Sequence, residues 1–523
     1  MVRARELPID INASATEMAR AIFGDGTQIY GASYSGDYRS SGIYSDGLGT
    51  MSGVAPSDSG VILSTGEARD ITNSRGQAND ETNTSTNTWG ETGNDWFDAA
   101  AGTRTYDAAY LDVDFVPDGN VMTMRFVFAS EEYPEYQTGI YQDFIGVWIN
   151  GAQVALDVGD GDTDPNNLNA ETNQNLYVDN ADSDYNTEMD GFTVTMTMTI
   201  PVVAGQLNSI RIGIADVSDS NYDSNILIAA DSVQTTLVAM TDSAQLYPEG
   251  TVEIDALAND ENSTGGALTI THVNGKAVSV GDTVILATGQ TVTLTPTGTL
   301  EVTGDGDVET VNFTYTAASS TGATDVGFVT VGSVPCFVAG TRIATADGPV
   351  PVEALEPGMM VRTKDRGHQP LRWIGQRTVA AAGAFAPVEI APHTFGQHSR
   401  LRVSPQHRIL VRNRAAELLF GEAEVLIAAR HLVDGGRVRQ VEGGEVTYVH
   451  LLFDRHEIVF ANGLASESFL PGPQVRNIFA EETLHEICTL FPELDPLTGA
   501  GYPPAARRIL SGHEARALSR VAA

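Results

Sequence analysis

The sequence predicts a mainly β protein: two tandem β-sandwiches followed by a further all-β domain and a short helical tail. Three observations lead to this fold class. Along most of the chain, short apolar segments alternate with polar residues or run between Gly, Asn and Asp turns. No apolar run of 18 residues occurs, so no membrane span is predicted. Composition also changes abruptly near residue 335, which indicates that two kinds of protein are joined there.

Charge marks this change clearly. The chain has 30 Lys+Arg and 68 Asp+Glu; residues 1–335 hold 10 and 48 of them, and residues 336–523 hold 20 and 20. The whole net charge of −38 therefore belongs to the first 335 residues, and nine of the ten histidines follow them. An acidic front half of this kind argues against nucleic acid or an anionic membrane as a partner.

The N-terminus, MVRARELPIDINASA, lacks the apolar core of a secretory signal peptide. The front half is nevertheless acidic, rich in Gly, Asp, Asn and Thr, and free of cysteine, which suits an exported protein. We therefore expect a secreted or cell-surface protein that is exported by a route without an N-terminal signal peptide.

Residues 1–238 open with one helical signal, SATEMARAIFG, in which Thr16 is the expected N-cap and Gly24 the stop. The segments that follow have strand patterns and long polar loops between them, which favours a β-sandwich. The predicted strands cover residues 122–130, 144–151, 192–202, 209–217 and 225–240.

The stretch FASEEYPEYQTGIYQDFIGVWINGA (128–152) resembles the choice-of-anchor L family of bacterial surface domains. It has the Ser-Glu-Glu-Tyr run of that family and then an Asp-Phe strand that ends in Ile-Asn-Gly. The resemblance implies that residues 1–238 form a secreted or surface-displayed module with no established chemistry. Its extracellular ligand cannot be named from the sequence.

Residues 241–332 form a second β block, with short strands between Asn-Asp, Gly-Gly, Asn-Gly and Gly-Asp turns. The run DALANDENSTGGALTITHVNG resembles the bacterial cadherin-like (VCBS-type) repeat, which implies an immunoglobulin-like sandwich. One copy is visible, so we expect it to act as a spacer.

Strand patterns resume after Pro335, now among basic residues and histidines. They include RIAT, MMVRT, LRWIG, RLRVS, RILVR, YVHLLF and EIVFANG. In the tail, residues 477–523, the segments AEETLHEICTLFPEL and AARRILSGHEARALSRV have the apolar spacing of amphipathic helices.

Cys336, in SVPCFVAGT, is one of only two cysteines, and its distance from Cys488 excludes CxxC chemistry. A lone cysteine becomes a nucleophile when the fold brings a histidine and an oxyanion donor to it. It can equally be a small buried apolar residue. The residue types alone leave both interpretations open.

Three blocks in order resemble the Hedgehog/intein (Hint) family, of the bacterial Hint_2 type, and imply an all-β, horseshoe-like fold over residues 334–476. The first block is CFVAGTRIATADGPVPVEALEPGMMVRTKD, the second is LRVSPQHRILV, and the third is YVHLLFDRHEIVFANGLASESFLPG. In the first block the matching residues are Cys336, Gly340, Thr341, Val352, Glu353, Leu355, Gly358 and Val361.

The resemblance implies that the Cys336 thiolate attacks the carbonyl of Pro335 and exchanges the amide for a thioester. His407 is the candidate for hydrogen-bonding and protonating the Cys336 nitrogen. Ser404 stands in place of the usual threonine and is the candidate for holding the histidine in position or stabilising the oxyanion. Asp454 is a weaker candidate, for orienting or deprotonating the thiol. His456 is a candidate for assisting either this step or the resolution of the thioester.

Each of these residues also has a plainer interpretation. His407 could be a core histidine, Ser404 a turn residue, and Asp454 with His456 a solvated hairpin tip. We interpret His450 and Cys488 as structural.

Inteins that splice end in His-Asn before a nucleophile, whereas the corresponding residues here are Glu467 and Ser468. The resemblance therefore implies cleavage without splicing, with the thioester resolved by water or an external nucleophile and residues 1–335 released. Pro335 itself constrains the backbone at the attacked carbonyl. No cofactor is expected for this step. The alternative is a non-catalytic adhesin in which this domain is only structural.

One acidic loop has the spacing of a calcium loop. DGDTDPNNLNAE places oxygen-bearing side chains at positions 1, 3, 5, 7 and 12, but has Pro165 at position 6 where an EF-hand has glycine. The alternative is a solvated acidic loop. The candidate Ca²⁺ ligands in the N-terminal half are Asp160, Asp162, Asp164, Asn166 and Glu171.

Overall fold

The computed structural model describes residues 2–80, 83–137, 141–159, 161–246, 250–305, 310–332, 336–381, 386–470, 502–503, 505–510, 515 and 518. The fold is mainly β, as predicted. The chain packs as two compact units, the first with residues 1–242, 254–301 and 311–330, and the second with residues 243–253, 302–310 and 331–523. Among the described residues, no helix is long and apolar enough to cross a membrane.

The N-terminal part of the first unit contains three α-helices, α1 (Ala15–Ile22), α2 (Gly47–Thr50) and α3 (Asp95–Ala101). Its strands are β1 (Ile9–Asp10), β2 (Thr27–Ser35), β3 (Ser41–Tyr44), β4 (Gly60–Ser64), β5 (Thr105–Pro117), β6 (Val121–Ser130), β7 (Phe144–Ile149), β8 (Ala152–Gln153), β9 (Tyr177–Asp179), β10 (Gly191–Thr193), β11 (Met196–Pro201), β12 (Asn208–Val217), β13 (Ser224–Ala229) and β14 (Leu237–Val238).

These strands form a β-sandwich. One sheet has the order β1-β3-β4-β13-β6-β10-β9, with β11 also pairing β6, and the other has the order β2-β5-β12-β7-β8. Alternate residues of β6, such as Phe126 and Phe128, share one core with alternate residues of β12, such as Ile210 and Ile212. Because successive side chains of a strand point to opposite faces, this alternation places the shared core between the two sheets.

Helix α1 begins two residues earlier than the sequence predicts. The N-cap is Ser14, not Thr16: the Ser14 hydroxyl accepts the Glu17 N–H, and the Glu17 carboxylate accepts the Ser14 N–H. This reciprocal capping box satisfies two free donors of the first turn, which Thr16 could not do from inside the helix. Met18, Ala19 and Ile22 form the buried face.

Most of the predicted strands are present, but two of them are interrupted. Residues 192–202 divide into β10 and β11. Within residues 225–240, the strand ends at Ala229, isolated bridges form at Val233 and Gln234, and β14 follows. The 13-residue strand β5 was not predicted, although it lies in the middle of a sheet between β2 and β12.

The immunoglobulin-like segment contributes ten strands: β15 (Asp242–Gln245), β16 (Thr251–Ile254), β17 (Glu261–Asn262), β18 (Leu268–Val273), β19 (Lys276–Ala277), β20 (Thr283–Ile285), β21 (Thr291–Leu294), β22 (Leu300–Thr303), β23 (Val311–Ser319) and β24 (Thr324–Gly332). Their sheets have the orders β15-β24-β23-β18-β19 and β16-β22-β21-β20, while β17 pairs β14.

The part of the second unit that follows Cys336 contains helix α4 (Arg414–Phe420) and two sheets. Its strands are β25 (Phe337–Val338), β26 (Arg342–Thr345), β27 (Gly348–Pro351), β28 (Met360–Thr363), β29 (Gly367–Pro370), β30 (Trp373–Ala380), β31 (Val388–Ile390), β32 (Leu401–Val403), β33 (Arg408–Arg412), β34 (Glu424–Ala428), β35 (Val438–Gln440), β36 (Glu445–Leu452), β37 (Ile458–Ala461) and β38 (Leu464–Glu467).

One of these sheets has the order β30-β36-β25-β32-β31-β35, and the other has the order β27-β26-β28-β37-β38-β33-β34, with β29 pairing β28. Phe337, Val403 and Val449 of the first sheet share a core with Ile343, Ile409 and Val459 of the second. The strand β25, which follows Cys336 directly, therefore lies in the interior of a sheet and its Phe337 is buried.

The helix predicted over 505–521 does not begin at residue 505. Residues 505–510 are not helical, and Ile509 forms a parallel bridge with Leu426 of β34, whereas Ala515 and Leu518 are helical. Backbone hydrogen bonds to the edge strand replace the helical ones here, so tertiary pairing overrides the local pattern. The other predicted tail helix, 480–494, lies outside the described residues, as does Cys488.

Candidate functional site

The register of strand β25 with its two neighbours positions the residues around Cys336. Phe337 of β25 pairs with Val403 of β32 on one side and with Val449 of β36 on the other, both antiparallel. The residue before Phe337 must therefore lie beside the residues that follow Val403 and Val449. Cys336 is in this way placed between Ser404 and His450, which are 68 and 114 residues away in the chain.

Both reactive parts of Cys336 have a side-chain partner. Its backbone N–H donates to Ser404 Oγ at 2.8 Å, and the Ser404 N–H donates to the Cys336 carbonyl at 3.0 Å. The Cys336 sulfur lies 3.4 Å from His450 Nε2. Burial raises the pKa of the thiol far above its usual value, against a smaller opposing effect of the Ser404 hydrogen bond. The thiol is thus protonated at neutral pH, and an imidazole nitrogen is within reach of its proton.

His407 lies in the turn between β32 and β33. Its N–H donates to the Ser404 carbonyl at 3.0 Å, and its ring packs on Phe337 with centroids 4.3 Å apart. Neither ring nitrogen has a hydrogen-bond partner within the described part of the chain, although the side chain is buried. Since an unpaired buried polar atom is costly, these nitrogens are available to a reacting group. Pro335, the predicted acyl donor, lies outside the described residues.

Burial lowers the pKa of His407 to about 4. The positive charge of Arg408 and the neighbouring His450 and His456 act in the same direction, while the carboxylate of Glu467 opposes them. His407 is therefore neutral at pH 7. The hydrogen bond to the Cys336 nitrogen that we expected from His407 is made by Ser404.

His456 belongs to a buried ionic cluster. Its Nε2 lies 3.3 Å from Glu467 Oε2, and both side chains are fully buried. Glu467 also accepts the Arg408 backbone N–H at 2.7 Å and its guanidinium at 3.0 Å. Burial alone would raise the pKa of Glu467, but Arg408 and His456 lower it to about 2. Glu467, at the position where inteins that splice have histidine, thus anchors the β33 end of the site.

Asp454 is paired elsewhere. Arg372 donates to its two carboxylate oxygens at 2.7 and 2.9 Å, and both side chains are about half exposed. This bidentate pair agrees with the solvated hairpin interpretation of Asp454. The structure thus brings Cys336, Ser404 and His407 together, puts His456 in the adjoining cluster, and gives Asp454 a different partner.

His450 is the site residue that sequence reasoning missed. It was interpreted as structural because it lies in an apolar strand, yet the register of β36 puts it at the Cys336 sulfur. Burial could not identify it, because every residue of YVHLLF is buried and His450 is buried in either interpretation. Only the pairing of β25 with β36 distinguishes a core histidine from one that faces the thiol.

Other residues of the first and third blocks shape the backbone near the site. Gly340 has φ +87° in the turn after β25, and its N–H donates to the Glu353 carboxylate at 2.7 Å. Asn462, with φ +50°, accepts the Arg342 N–H at 2.8 Å and donates to the Arg400 carbonyl at 2.7 Å. The shared motif residues therefore include turn residues as well as reacting groups.

The acidic loop at 160–171 is stabilised by its own hydrogen bonds. One Asp164 carboxylate oxygen accepts the N–H groups of Asn166 and Asn167, while Glu171 is exposed and Asp160 lies outside the described residues. Among the residues that the structure describes, no three His, Cys, Asp or Glu side chains are grouped to hold a metal ion. Calcium binding by Asp162, Asn166 and the other candidates stays a prediction.

Three family models match the chain in tandem. They are the Choice-of-anchor L domain at residues 9–234, the Bacterial Ig domain at 233–332 and the Hint domain at 335–473. Residues 335–473 are a Hint domain. Cys336, Ser404, His407 and His450 all lie within this match. The middle match is to a bacterial Ig domain, so the immunoglobulin-like fold is supported there and the narrower cadherin-like assignment is not.

Solved structures show similarities to separate parts of the chain. The crystal structure of the gp41-1 intein is 10% identical, with a TM-score of 0.17; the similarity covers 25% of this chain and 97% of the intein. The N-terminal eight Ig domains of Down Syndrome Cell Adhesion Molecule isoform 1.30.30 are 8% identical, with a TM-score of 0.14, and cover 57% of this chain and 31% of that one. No curated protein matches the chain.

Proposed function

We propose that the Hint domain catalyses an N–S acyl shift at Pro335–Cys336 and thereby releases residues 1–335. The Cys336 sulfur forms a bond to the Pro335 carbonyl carbon, and the bond from that carbon to the Cys336 nitrogen breaks. The thiol proton leaves the sulfur, and the departing nitrogen gains a proton and becomes an amine. One observation carries the proposal: the Cys336 sulfur and nitrogen contact different side chains, His450 of β36 and Ser404, the residue that follows β32.

His450 is the proposed general base. Burial keeps the Cys336 thiol protonated, so attack requires that the proton be removed as the sulfur approaches the carbonyl. His450 Nε2, at 3.4 Å from the sulfur, is placed to take it. The same burial makes a thiolate, once formed, a poorly solvated and therefore reactive nucleophile.

Ser404 and His407 are proposed to act on the nitrogen side. The Ser404 hydroxyl accepts the Cys336 N–H, so it fixes the orientation of the scissile amide. His407, whose ring nitrogens are unpaired among the described residues, is the candidate donor to the departing nitrogen. Because its pKa is lowered to about 4, His407 is neutral at pH 7 and would act as a hydrogen-bond donor to that nitrogen, while the proton that the nitrogen gains is the one that His450 takes from the thiol.

The thioester is proposed to be resolved by water or an external nucleophile. Glu467 and Ser468 stand where inteins that splice have His-Asn, and an asparagine side chain is needed there to release the following segment by cyclisation. Glu467 is bound to Arg408 and His456, and the Ser468 hydroxyl accepts the Glu457 N–H at 2.9 Å. Both residues thus have structural partners, which supports cleavage without splicing.

The choice-of-anchor L domain supports a secreted or cell-surface location for the released part. An unidentified extracellular ligand of residues 1–238 remains part of this proposal.

The purified chain, incubated with and without dithiothreitol or hydroxylamine, tests the reaction on a denaturing gel. Cleavage gives two fragments, residues 1–335 and 336–523, whose ends are identified by mass spectrometry. Cys336→Ala abolishes them, while Cys488→Ala, the matched control at the second cysteine, leaves them unchanged. A chain that stays intact under all conditions contradicts the proposal and favours the non-catalytic adhesin.

A further inference from the structure

The C-terminal segment at residues 505–510 packs along the edge of the Hint domain. The Leu426 N–H of β34 donates to the Arg508 carbonyl at 2.8 Å, and the Leu510 N–H donates to the Leu426 carbonyl at 2.9 Å. Leu510 shares a buried cluster with Val425 and Ile427, and Arg507 forms an ion pair with Glu424 at 3.0 Å. Hydrogen bonds, apolar burial and charge therefore fix this segment to β34.

This segment reaches the buried cluster beside the site through a single backbone group. The Ala506 N–H donates to His456 Nδ1 at 3.0 Å. A ring nitrogen that accepts a hydrogen bond carries no proton, so the neutral His456 ring has its proton on Nε2. That nitrogen is the one that lies 3.3 Å from Glu467 Oε2.

Glu467 connects His456 to the backbone at His407. Its Oε1 accepts the N–H of Arg408, which is the amide that joins His407 to Arg408. Its Oε2 lies near both the Arg408 guanidinium and His456 Nε2. The His456 Nε2–Glu467 Oε2 contact lies outside hydrogen-bond geometry, but at 3.3 Å an N–H at Nε2 attracts the carboxylate and a lone pair repels it. The orientation of the Glu467 carboxylate, and with it the backbone at His407, therefore depends on which His456 nitrogen carries the proton.

We propose that Ala506 is a positioning residue of the Hint site: its backbone N–H selects the Nε2–H tautomer of His456, which orients Glu467 against the His407–Arg408 peptide. In this way the C-terminal segment completes the site from outside the residues matched by the Hint family model. This inference deepens the proposed function and rests on it for its effect on rate, whereas the tautomer itself does not depend on cleavage.

The tautomer is measured first, in the full chain carrying Cys336→Ala, which is expected not to cleave. Imidazole ¹⁵N shifts of His456 are recorded with Ala506 unchanged, with Ala506→Ser, which keeps the N–H, and with Ala506→Pro, which removes it. We expect one Nε2–H tautomer in the first two proteins and a mixture in the third. An unchanged His456 pattern in Ala506→Pro overturns the proposal.

The rate is measured next, in chains that retain Cys336. We expect Ala506→Pro to cleave about tenfold more slowly than Ala506→Ser and to show an altered pH–rate profile. Equal rates and profiles contradict the positioning role. If no chain cleaves, the proposed function fails, while the ¹⁵N measurement still decides the tautomer.

A second variant addresses the possibility that the proline ring disturbs the fold. Semisynthesis can replace the Ala505–Ala506 amide by an ester, which removes the N–H and keeps the shape of the backbone. The ester chain should reproduce both the mixed tautomer and the slower cleavage. An ester chain with the tautomer and rate of the unmodified chain overturns the proposal even if Ala506→Pro fails to fold.

Discussion

Cys336 and His450 form a thiol–imidazole pair in surroundings that disfavour the thiolate. The sulfur clusters with Ala381, Val446 and Tyr448, and burial raises the thiol pKa. A cysteine in such surroundings is inert unless a base lies close enough to remove the thiol proton. At the residue scale, the nearby His450 therefore favours the proposed catalytic role of Cys336 over the inert interpretation.

We predict that His450→Gln slows cleavage by a factor of about 10²–10⁴, the usual contribution of a general base. Glutamine retains a polar group in the buried space but cannot take the thiol proton. The rate of fragment formation on a denaturing gel measures the effect. His368→Gln is the matched control, since His368 is exposed on β29 and should leave the rate unchanged. A normal rate in His450→Gln would show that another group removes the proton.

At the scale of single elements, turns hold the site strands in register. The turn between β37 and β38 depends on Asn462, which has φ +50° and two side-chain hydrogen bonds, one with Arg342 of β26 and one with Arg400 just before β32. A left-handed conformation costs an ordinary L-residue roughly 1–2 kcal/mol, and glycine does not bear this cost.

We predict that Asn462→Ala lowers the free energy of unfolding more than Asn462→Gly does, by roughly 1 kcal/mol. Both variants lose the same two side-chain hydrogen bonds, so the difference between them isolates the backbone strain. Denaturant unfolding of the full chain measures it through the transition midpoints. Equal midpoints would mean that the turn relaxes to another conformation.

The loop at 160–171 is a second element with a testable property. If it binds calcium, added Ca²⁺ at about 100 times the dissociation constant should stabilise the fold by about 2.7 kcal/mol, and a chelator should reverse the shift in melting temperature. Glu171→Gln should reduce the shift, because this exposed carboxylate is a candidate ligand, whereas Glu6→Gln should not. If added Ca²⁺ leaves the melting temperature of the unmodified chain unchanged, the calcium hypothesis is wrong.

At the scale of the whole molecule, the two ends of the chain bury titratable groups whose pKa values are shifted in opposite directions. The choice-of-anchor L domain buries carboxylates: burial raises the pKa of Asp223 to about 7, and raises those of Asp143 and Asp216 well above the usual range. The Hint domain buries a neutral His407 and an ionised Glu467, whose pKa values are lowered to about 4 and about 2.

We therefore predict opposite pH responses of stability. The folded choice-of-anchor L domain retains protons that the unfolded chain releases above about pH 4, so its stability falls as pH rises through about 7. In the Hint domain, His407 of the unfolded chain binds a proton below about pH 6.5. In the folded domain the same side chain stays neutral until about pH 4. Its stability thus falls as pH decreases across that range, by about 3 kcal/mol at most from this residue.

Hydrogen exchange of the full chain, resolved by peptide and corrected for intrinsic rates, measures both trends between pH 5 and pH 8. Peptides from β12 and β13 should lose protection at the higher pH, and peptides from β32 and β33 at the lower. Asp223→Asn and His407→Gln should each flatten the trend of their own domain only. Parallel trends in both domains would contradict the assignment of these groups.

Much of the fold follows from local sequence. Alternation predicts β6, β7 and β12, because strand periodicity is a property of neighbouring residues. The block motif around Cys336 indicates the Hint domain that the family model matches. The Thr16 cap was wrong, because the capping box offers better hydrogen bonds. Within the helix predicted over 505–521, residues 505–510 were wrong, because an edge strand offers them better hydrogen bonds than the local pattern alone suggests.

The sequence by itself determined the mainly β class, the seam near residue 335, and Cys336, Ser404 and His407 as candidates. Tertiary structure alone decided that Ser404 binds the Cys336 amide, that His450 meets its sulfur, and that Ala506 reaches His456. The physical reason is strand register: pairing β25 with β32 and β36 joins residues 68 and 114 positions apart. Since a shift of one residue would turn each side chain to the other face, only the packed sheet establishes these contacts.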